Sequence, residues 1–359
     1  MHVCHQCGFV FNATFDPALL DYGSDYDNSL ICSTAFENHL DELVAYLLYD
    51  RRIQQSQIIE IGCGKGTFLR KLVANQATGN QAVGFDPSYF GPESDLSGRL
   101  RFVKQFFDGT RFAVQPDVVI CRHVLEHIKQ PVTFLKTLNT ALKVSGSLST
   151  RVFFETPCVE WILSNQVAWD FFYEHCSLFN SSSLAQTFQQ AGFEVARVKH
   201  LFGGQYLWIE ANWSQNLAQA ATPDPGALPG LAEQFSLTES QQWSVWIREI
   251  ARLRQLGRIA LWGAGAKGVT FANRIDPDGQ LLEGVVDVNL QKQGKFLPGT
   301  GHSIIAPEQL GDYGISTALV LNSNYVAEIQ RTLQALKSPV LVFDLMGAIS
   351  HKQGGFLAA

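Results

Sequence analysis

The strongest pattern in the chain is an apolar run, Ile58-Ile59-Glu60-Ile61, that carries one acid and opens into glycines at alternate positions, Gly62, Gly64 and Gly66. The run fits a buried strand, and Thr67-Phe68-Leu69-Arg70-Lys71-Leu72-Val73 then switches to helical spacing of its apolar positions. The glycines therefore fall in a strand-to-helix turn, where the backbone takes positive φ and approaches a ligand beneath free helix N–H groups. Further strands are predicted at 81–85, which ends in Asp86, and at 116–121, with others ending at Pro157 and beginning after Gly192. An amphipathic stretch runs from Phe36 to Leu48, and Arg122 to Ile128 reads as the start of a helix. Beyond it, 214–245 shifts to Ala, Pro, Gly, Gln and Ser, which reads as a linker followed by a surface helix. A second strand-to-turn pattern, Arg258-Ile259-Ala260-Leu261-Trp262 into Gly263, Gly265 and Gly268, is followed by strands ending at Asp287 and Asn322. These patterns predict an α/β protein with two Rossmann-like units.

Composition narrows the partners more than the fold. The 359 residues suffice for two or three domains, and the net charge of −6 carries no basic footprint for nucleic acid. No apolar run reaches the ~18 residues of a membrane span, and no signal-like start is present, so a cytoplasmic protein with a small-molecule partner is expected. The seven cysteines are scattered through apolar segments, as reduced buried thiols are.

Candidate chemistry gathers at both glycine turns. Asp86 lies about 20 residues beyond Gly66, the distance at which an acid reaches a ribose diol, and Phe107 and Asp108 offer an aromatic face and a carboxylate to an adenine. His123, Glu126 and His127 follow the 116–121 strand, where residues past the carboxyl ends of parallel strands line a ligand crevice. The segment from Trp169 to Phe179 is aromatic-rich with Glu174-His175 at its centre, either a desolvated base with its carboxylate or a core histidine bonded to a carbonyl. Tyr22 and Tyr26 lie in a hydroxyl- and acid-rich stretch that either caps the ligand site or is a solvated loop. Cys4 and Cys7 would supply two corners of a tetrahedral zinc site or stand as two free thiols in a turn. Gly263-Ala264-Gly265-Ala266-Lys267-Gly268, with Asp287 further on, carries a dinucleotide fingerprint, and Lys267 is placed to meet a diphosphate or solvent.

The E-x-G-x-G-x-G loop, the Val124-Leu125-Glu126-His127-Ile128 segment and the Ala191-Gly192-Phe193 turn together resemble the class I S-adenosylmethionine (SAM) methyltransferases over residues 55–200. The wider succession adds Cys4-x-x-Cys7-Gly8, Tyr173-Glu174-His175, the second glycine turn and Val286-Asp287-Val288-Asn289. It is similar to the sugar C-methyltransferases of deoxysugar pathways along nearly the whole chain. The resemblance implies a class I methyltransferase core followed by a second Rossmann-like α/β domain. Its division would be a short CxxC module over 1–30, a SAM domain over 31–213, a linker and helix over 214–245, and a C-terminal domain over 246–359.

It further implies transfer of a methyl group to a carbon adjacent to a ketone of a nucleotide-linked sugar. Glu60, Gly62, Gly64, Gly66, Asp86, Phe107, Asp108 and His123 would bind SAM, and Tyr22, Tyr173, Gly263, Gly265 and Lys267 would meet the substrate. His175 would remove the proton, Glu174 would orient it, and His127 or Tyr26 would contact the enolate oxygen. Where the family has Tyr-His-Glu-His, this chain has Phe172-Tyr173-Glu174-His175, and it carries one C-x-x-C pair where the family has two. Methylation of oxygen or nitrogen, and NAD-dependent redox chemistry at the second glycine turn, are the alternatives.

Overall fold

The computed structural model describes residues 1–20, 33–110, 112, 114–214 and 223–348 and divides into two compact units. The first comprises 1–29, 38–161 and 173–231, and the second 30–37, 162–172 and 232–359. Tyr22 and Tyr26 lie outside the described residues.

In the first unit, His2–Val3 (β1) and Val10–Phe11 (β2) pair antiparallel. Helix Thr34–Ala45 (α1) runs on into a π-helical turn, Tyr46–Asp50. There follow Gln57–Ile61 (β3), Thr67–Ala74 (α2), Gln81–Phe85 (β4), Ser94–Asp95 (β5), Leu100–Val103 (β6), Val118–Arg122 (β7), Pro131–Val144 (α3) and Ser149–Pro157 (β8). Val159–Ser164 (α4), Ser177–Leu178 (β9), Ser181–Gln190 (α5), Glu194–Leu201 (β10) and Tyr206–Ser214 (β11) complete it.

The main sheet has the order β10-β11-β8-β7-β3-β4-β6-β5. Strands β6, β4, β3, β7 and β8 run parallel, β11 returns antiparallel to β8, and β10 runs antiparallel to β11. Strand order reverses between β3 and β7, so the loops leaving these two strands part and open a crevice. The central strands are buried on both faces, which explains their unbroken apolar runs: Val118 to Cys121 are fully buried. Leu135, Leu138 and Leu142 of α3 and Leu184 and Phe188 of α5 join that core. Helix α5 starts at a reciprocal cap between Asn180 and Ser183.

The three glycines after β3 serve different needs. All have positive φ, at +76°, +53° and +74°. A Cβ on Gly62 would stand 2.1 Å from Val124 Cγ2, and one on Gly66 would stand 2.3 Å from the Phe102 ring. A Cβ on Gly64 would meet nothing within 4 Å. The outer two glycines let neighbouring loops close on the turn, while the middle one faces open space.

Residues 122–128 do not start a helix as their apolar spacing predicts. His123 takes φ +53°, and only Leu125–His127 wind into a single 3-10 turn before α3 begins at Pro131. The left-handed residue and the Val124 side chain lodged against Gly62 break the helical path.

The second unit carries most of helix Leu228–Arg254 (α6), then Arg258–Trp262 (β12), Ala266–Ile275 (α7), Gly284–Val286 (β13), Ile304–Ile305 (β14), Ile315–Val320 (β15), Val326–Ala335 (α8) and Leu341–Asp344 (β16). Its five strands are all parallel, in the order β14-β13-β12-β15-β16, a small doubly wound sheet. Helix α6 extends past 245 and is not a surface helix throughout, because Trp243 and Trp246 are buried. Trp169 packs among them and stands edge-on to Phe271 at 5.3 Å between ring centres, so that end of the aromatic-rich segment is core.

Alanine at Gly66 is expected to cost roughly 2–4 kcal/mol, strain plus the clash with Phe102. Alanine at Gly98, where φ is +84° but a Cβ meets nothing, is expected to cost only about 1–2 kcal/mol. Urea unfolding followed by circular dichroism checks this; equal losses would mean that the Phe102 contact does not shape the turn.

Candidate active site

The glycine turn after β3 is held from the next strand. Asp86, at the end of β4, accepts the Gly64 N–H at 2.7 Å through Oδ2, while Oδ1 accepts the Ser88 N–H and hydroxyl. The middle glycine is thereby fixed in its left-handed conformation with its open side toward the crevice. Glu60, buried on β3, leaves Oε2 without a hydrogen-bond partner among the described residues, and burial pushes its carboxyl up to about 8. An orphaned buried acceptor beside a glycine with open space above it fits a polar, close-lying ligand, so Glu60, Gly64 and Asp86 are suited to hold SAM. Phe107 stands edge-on to Phe85 at 6.1 Å and stacks on Phe112 at 5.1 Å, next to the end of β4. Asp108 is exposed, and the Thr110 N–H and hydroxyl that it accepts hold its carboxyl below the usual range.

Next to this turn lies a buried charge network. Glu155, near the end of β8, is fully buried between His39 Nε2 at 2.6 Å, Arg122 Nε at 2.8 Å and His123 Nε2 at 3.4 Å. Burial alone would raise its carboxyl, but Arg122, His123 and His39 outweigh it and hold Glu155 well below the usual range. His123, expected to touch the cofactor, stands between two carboxylates, with Nδ1 3.6 Å from Glu126 Oε1. Burial would lower its pKa, yet Glu155 and Glu126 carry it to about 9, so it is an imidazolium at neutral pH. Glu126 in turn accepts the Thr156 hydroxyl at 3.1 Å. Its burial works against ionisation, but the charge of His123 and the imidazoles of His127 and His175 bring it to about 2.

The chain thus brings His127 and His175, 48 positions apart in sequence, to 4.8 Å between ring centres, edge to face. Glu126 joins them, with ligating atoms of all three within 4.8 Å of one another. The carboxylate set against the two imidazoles is therefore Glu126. Glu174 carries no hydrogen bond or ion pair of its carboxylate among the described residues. Sequence neighbours diverge here because 173–174 form a turn rather than a helix.

The segment that carries His175 is held by the N-terminal hairpin. Strand β2 pairs with β9 through Val10 and Leu178, and the Asn12 N–H donates to Cys176 O at 3.1 Å. The Tyr173 hydroxyl accepts the Asp16 N–H at 2.9 Å and donates to Thr14 O at 3.1 Å, so Tyr173, expected to meet substrate, is an anchor of this hairpin. Nothing local in the sequence marks that pairing. Cys4 and Cys7 lie in the hairpin turn, where the N–H groups of Gln6 and Cys7 lower the Cys4 thiol pKa while burial raises that of Cys7. Among the described residues no third ligand joins them, so the pair does not make a complete zinc site.

In the second unit, the turn after β12 repeats the same construction. Asp287 Oδ2 accepts the Ala264 N–H at 2.8 Å, and a Cβ on Gly268 would stand 1.9 Å from Gly263 O. Gly263 has φ +110°, and neither it nor Gly265 has an atom within 4 Å of where a Cβ would lie. Lys267 Nζ does not stand free for a diphosphate: it lies 2.7 Å from buried Asp170 Oδ2. Burial raises the Asp170 carboxyl and Lys267 opposes that shift.

Residues 34–198 match the family model described as a methyltransferase domain, and 238–340 match one described as a C-methyltransferase C-terminal domain. The chain is 28% identical over 303 residues to C-methyltransferase NovU of Streptomyces niveus, covering 76% of this chain and 67% of that protein. It is 32% identical over 99 residues to the mitochondrial ubiquinone biosynthesis O-methyltransferase of Schizosaccharomyces pombe, 26% of this chain and 36% of that protein. Magnesium protoporphyrin IX methyltransferase from Synechocystis PCC 6803 with bound SAM superposes with a TM-score of 0.38 and 17% identity, over 54% of this chain and 88% of that one. No helix among the described residues is long and apolar enough to cross a membrane. One family match falls on each glycine turn, and the chain belongs to the SAM-dependent methyltransferases, a methyltransferase domain followed by a C-methyltransferase C-terminal domain.

Proposed function

We propose that the protein transfers a methyl group from SAM to a carbon adjacent to a ketone in a nucleotide-linked deoxysugar or a similar small molecule. The observation that carries this reading is the His127–His175 pair, 4.8 Å between ring centres, which sets His175 beside an ionised Glu126 and His127 on the turn that leaves β7. Carbon methylation needs a base for a weakly acidic C–H and a donor for the oxygen that becomes negative. Two imidazoles side by side supply both, whereas a hydroxyl substrate needs only the first. The similarity to a C-methyltransferase over most of the chain supports the choice of carbon.

In this reading His175 takes the proton from the carbon, and the electron pair moves into an enolate whose oxygen His127 contacts. SAM, when bound, supplies a methyl group on a sulfonium, and the enolate carbon accepts that methyl as the carbon–sulfur bond breaks. Glu126 sets its carboxylate beside the two rings. Glu60, Gly64 and Asp86 hold the cofactor, and alignment of the two reactants is worth roughly 7–11 kcal/mol of barrier. Tyr26 keeps the supporting role that the family resemblance implies, while Glu126 stands beside the two rings where that resemblance sets Glu174.

Calorimetric titration with S-adenosylhomocysteine is expected to show one site, lost or weakened at least tenfold by Asp86→Ala, while NAD gives no heat. Binding of NAD alone would overturn the reading. His175→Ala is expected to lower turnover on a keto-sugar nucleotide by about 100-fold or more with S-adenosylhomocysteine affinity unchanged. The product's methyl carbon, located by NMR, decides between carbon and heteroatom transfer. Glu126, its carboxyl held at about 2, lies with ligating atoms of both imidazoles within 4.8 Å. Glu126→Gln should therefore lower kcat/KM by about tenfold or more with S-adenosylhomocysteine affinity unchanged, and unaltered turnover would remove Glu126 from the catalytic set.

A further inference from the structure

At the opposite end of the main sheet from the glycine turn is a cavity of about 370 Å³ whose lining includes four arginines against two acids, Asp50 and Glu210. Arg51, Arg52, Arg151 and Arg197 line it, with Phe153 buried in its floor and Glu210 among its acids. Arg151 stands near the start of β8, and at about 3.3 Å per residue it lies ~20 Å along the strand from Pro157. The cavity therefore belongs neither to the cofactor turn nor to the histidine pair. All of its residues lie in the first unit.

The local charge is under-compensated in a protein whose net charge is −6. Glu210 is engaged by Arg51 at 2.6 Å and by the Tyr46 hydroxyl, and Arg151 spends a donor on Arg51 O at 2.6 Å. Lys199 lies over the Tyr46 ring at 3.5 Å, adding a fifth cation at the edge. No acid is paired with Arg52 or Arg197 among the described residues, and both are exposed at the rim. Burial lowers the pKa of Arg151 and Lys199; Asp117 and Glu210 respectively oppose that shift, and the neighbouring arginines add to it. Packing alone does not require like charges to be gathered in this way.

Backbone geometry at the rim points the same way. The helix that begins at Thr34 loosens into a π-helical turn over Tyr46–Asp50, and Arg52 then takes φ +50°, left-handed for a residue with a long side chain. Such turns and strained residues concentrate where a side chain must be aimed at a ligand. Here they aim Arg51 and Arg52 at the mouth.

We propose that this cavity is a second ligand site, which takes a small phosphorylated molecule whose phosphate oxygens are gripped by Arg52, Arg151 and Arg197. Arginine is suited to this because its planar fork meets two phosphate oxygens at once. Arg51 is held by Glu210 and supplies the fixed wall.

The test is calorimetric titration of the whole protein with inorganic pyrophosphate and with a nucleoside diphosphate, in low-salt buffer and with S-adenosylhomocysteine present to fill the cofactor site. One site per chain is expected, weakened at least tenfold in the exposed-residue variant Arg52→Gln/Arg197→Gln, with S-adenosylhomocysteine affinity unchanged. Tighter binding of the nucleoside diphosphate than of pyrophosphate would show that the body of the ligand also contributes. Arg197→Lys should restore more of the affinity than Arg197→Gln. Absence of binding at millimolar pyrophosphate, several weak sites per chain, or equal binding by the double variant would overturn the proposal.

Discussion

The first unit depends on one buried carboxylate. Glu155 sits inside the protein and survives as an anion only because Arg122, His39 and His123 converge on it. Each partner comes from a different part of the chain: helix α1, the end of β7 and the turn that follows it. The pairing joins these elements at the crevice, and removing one partner of such a buried group typically costs about 3–5 kcal/mol because the other charge is left unmatched. The positive φ of His123 follows from the same demand, since the ring must reach back between Glu155 and Glu126. Charge of alternating sign then runs outward from Glu155 to His123 to Glu126, beside which the two imidazoles stand. The reactive pair is thus coupled to the sheet electrostatically as well as through the backbone.

Both units solve the glycine turn in one way. Asp86 and Asp287, each at the end of the strand after the turn, accept a backbone N–H from within it. This explains why the acid about 20 residues on is legible in sequence: it is a local part of one strand-turn-helix-strand motif, and its spacing is set by the lengths of those elements. The glycines were legible for the same reason, because each except Gly265 is required by a positive φ or by a close neighbour.

What sequence did not reveal lies in contacts between distant segments. His39 and Glu155 are separated by 116 positions, and nothing around either residue announces the other. Glu174 stood next to His175 and looked like its partner, but a turn separates their side chains and Glu126, itself visible only as part of a predicted helix, takes the place. The π-helical turn at Tyr46–Asp50 was hidden as well, since its apolar spacing differs little from that of the α-helix it extends. Tyr173 carried an aromatic ring and a hydroxyl, features that suit either a substrate contact or an anchor, and only the neighbouring hairpin distinguishes them.

The hairpin of β1 and β2 also changes what the amino terminus means for this protein. It adds a strand to β9, just after His175, and so residues 2–11 help fix a segment that emerges much later. During synthesis the glycine turn and its strands can assemble in order, but the base has no firm seat until residue 178 is out and has found residue 10. Maturation of the reactive centre therefore waits on a long-range closure, whose entropy cost grows only slowly with the length of the intervening chain.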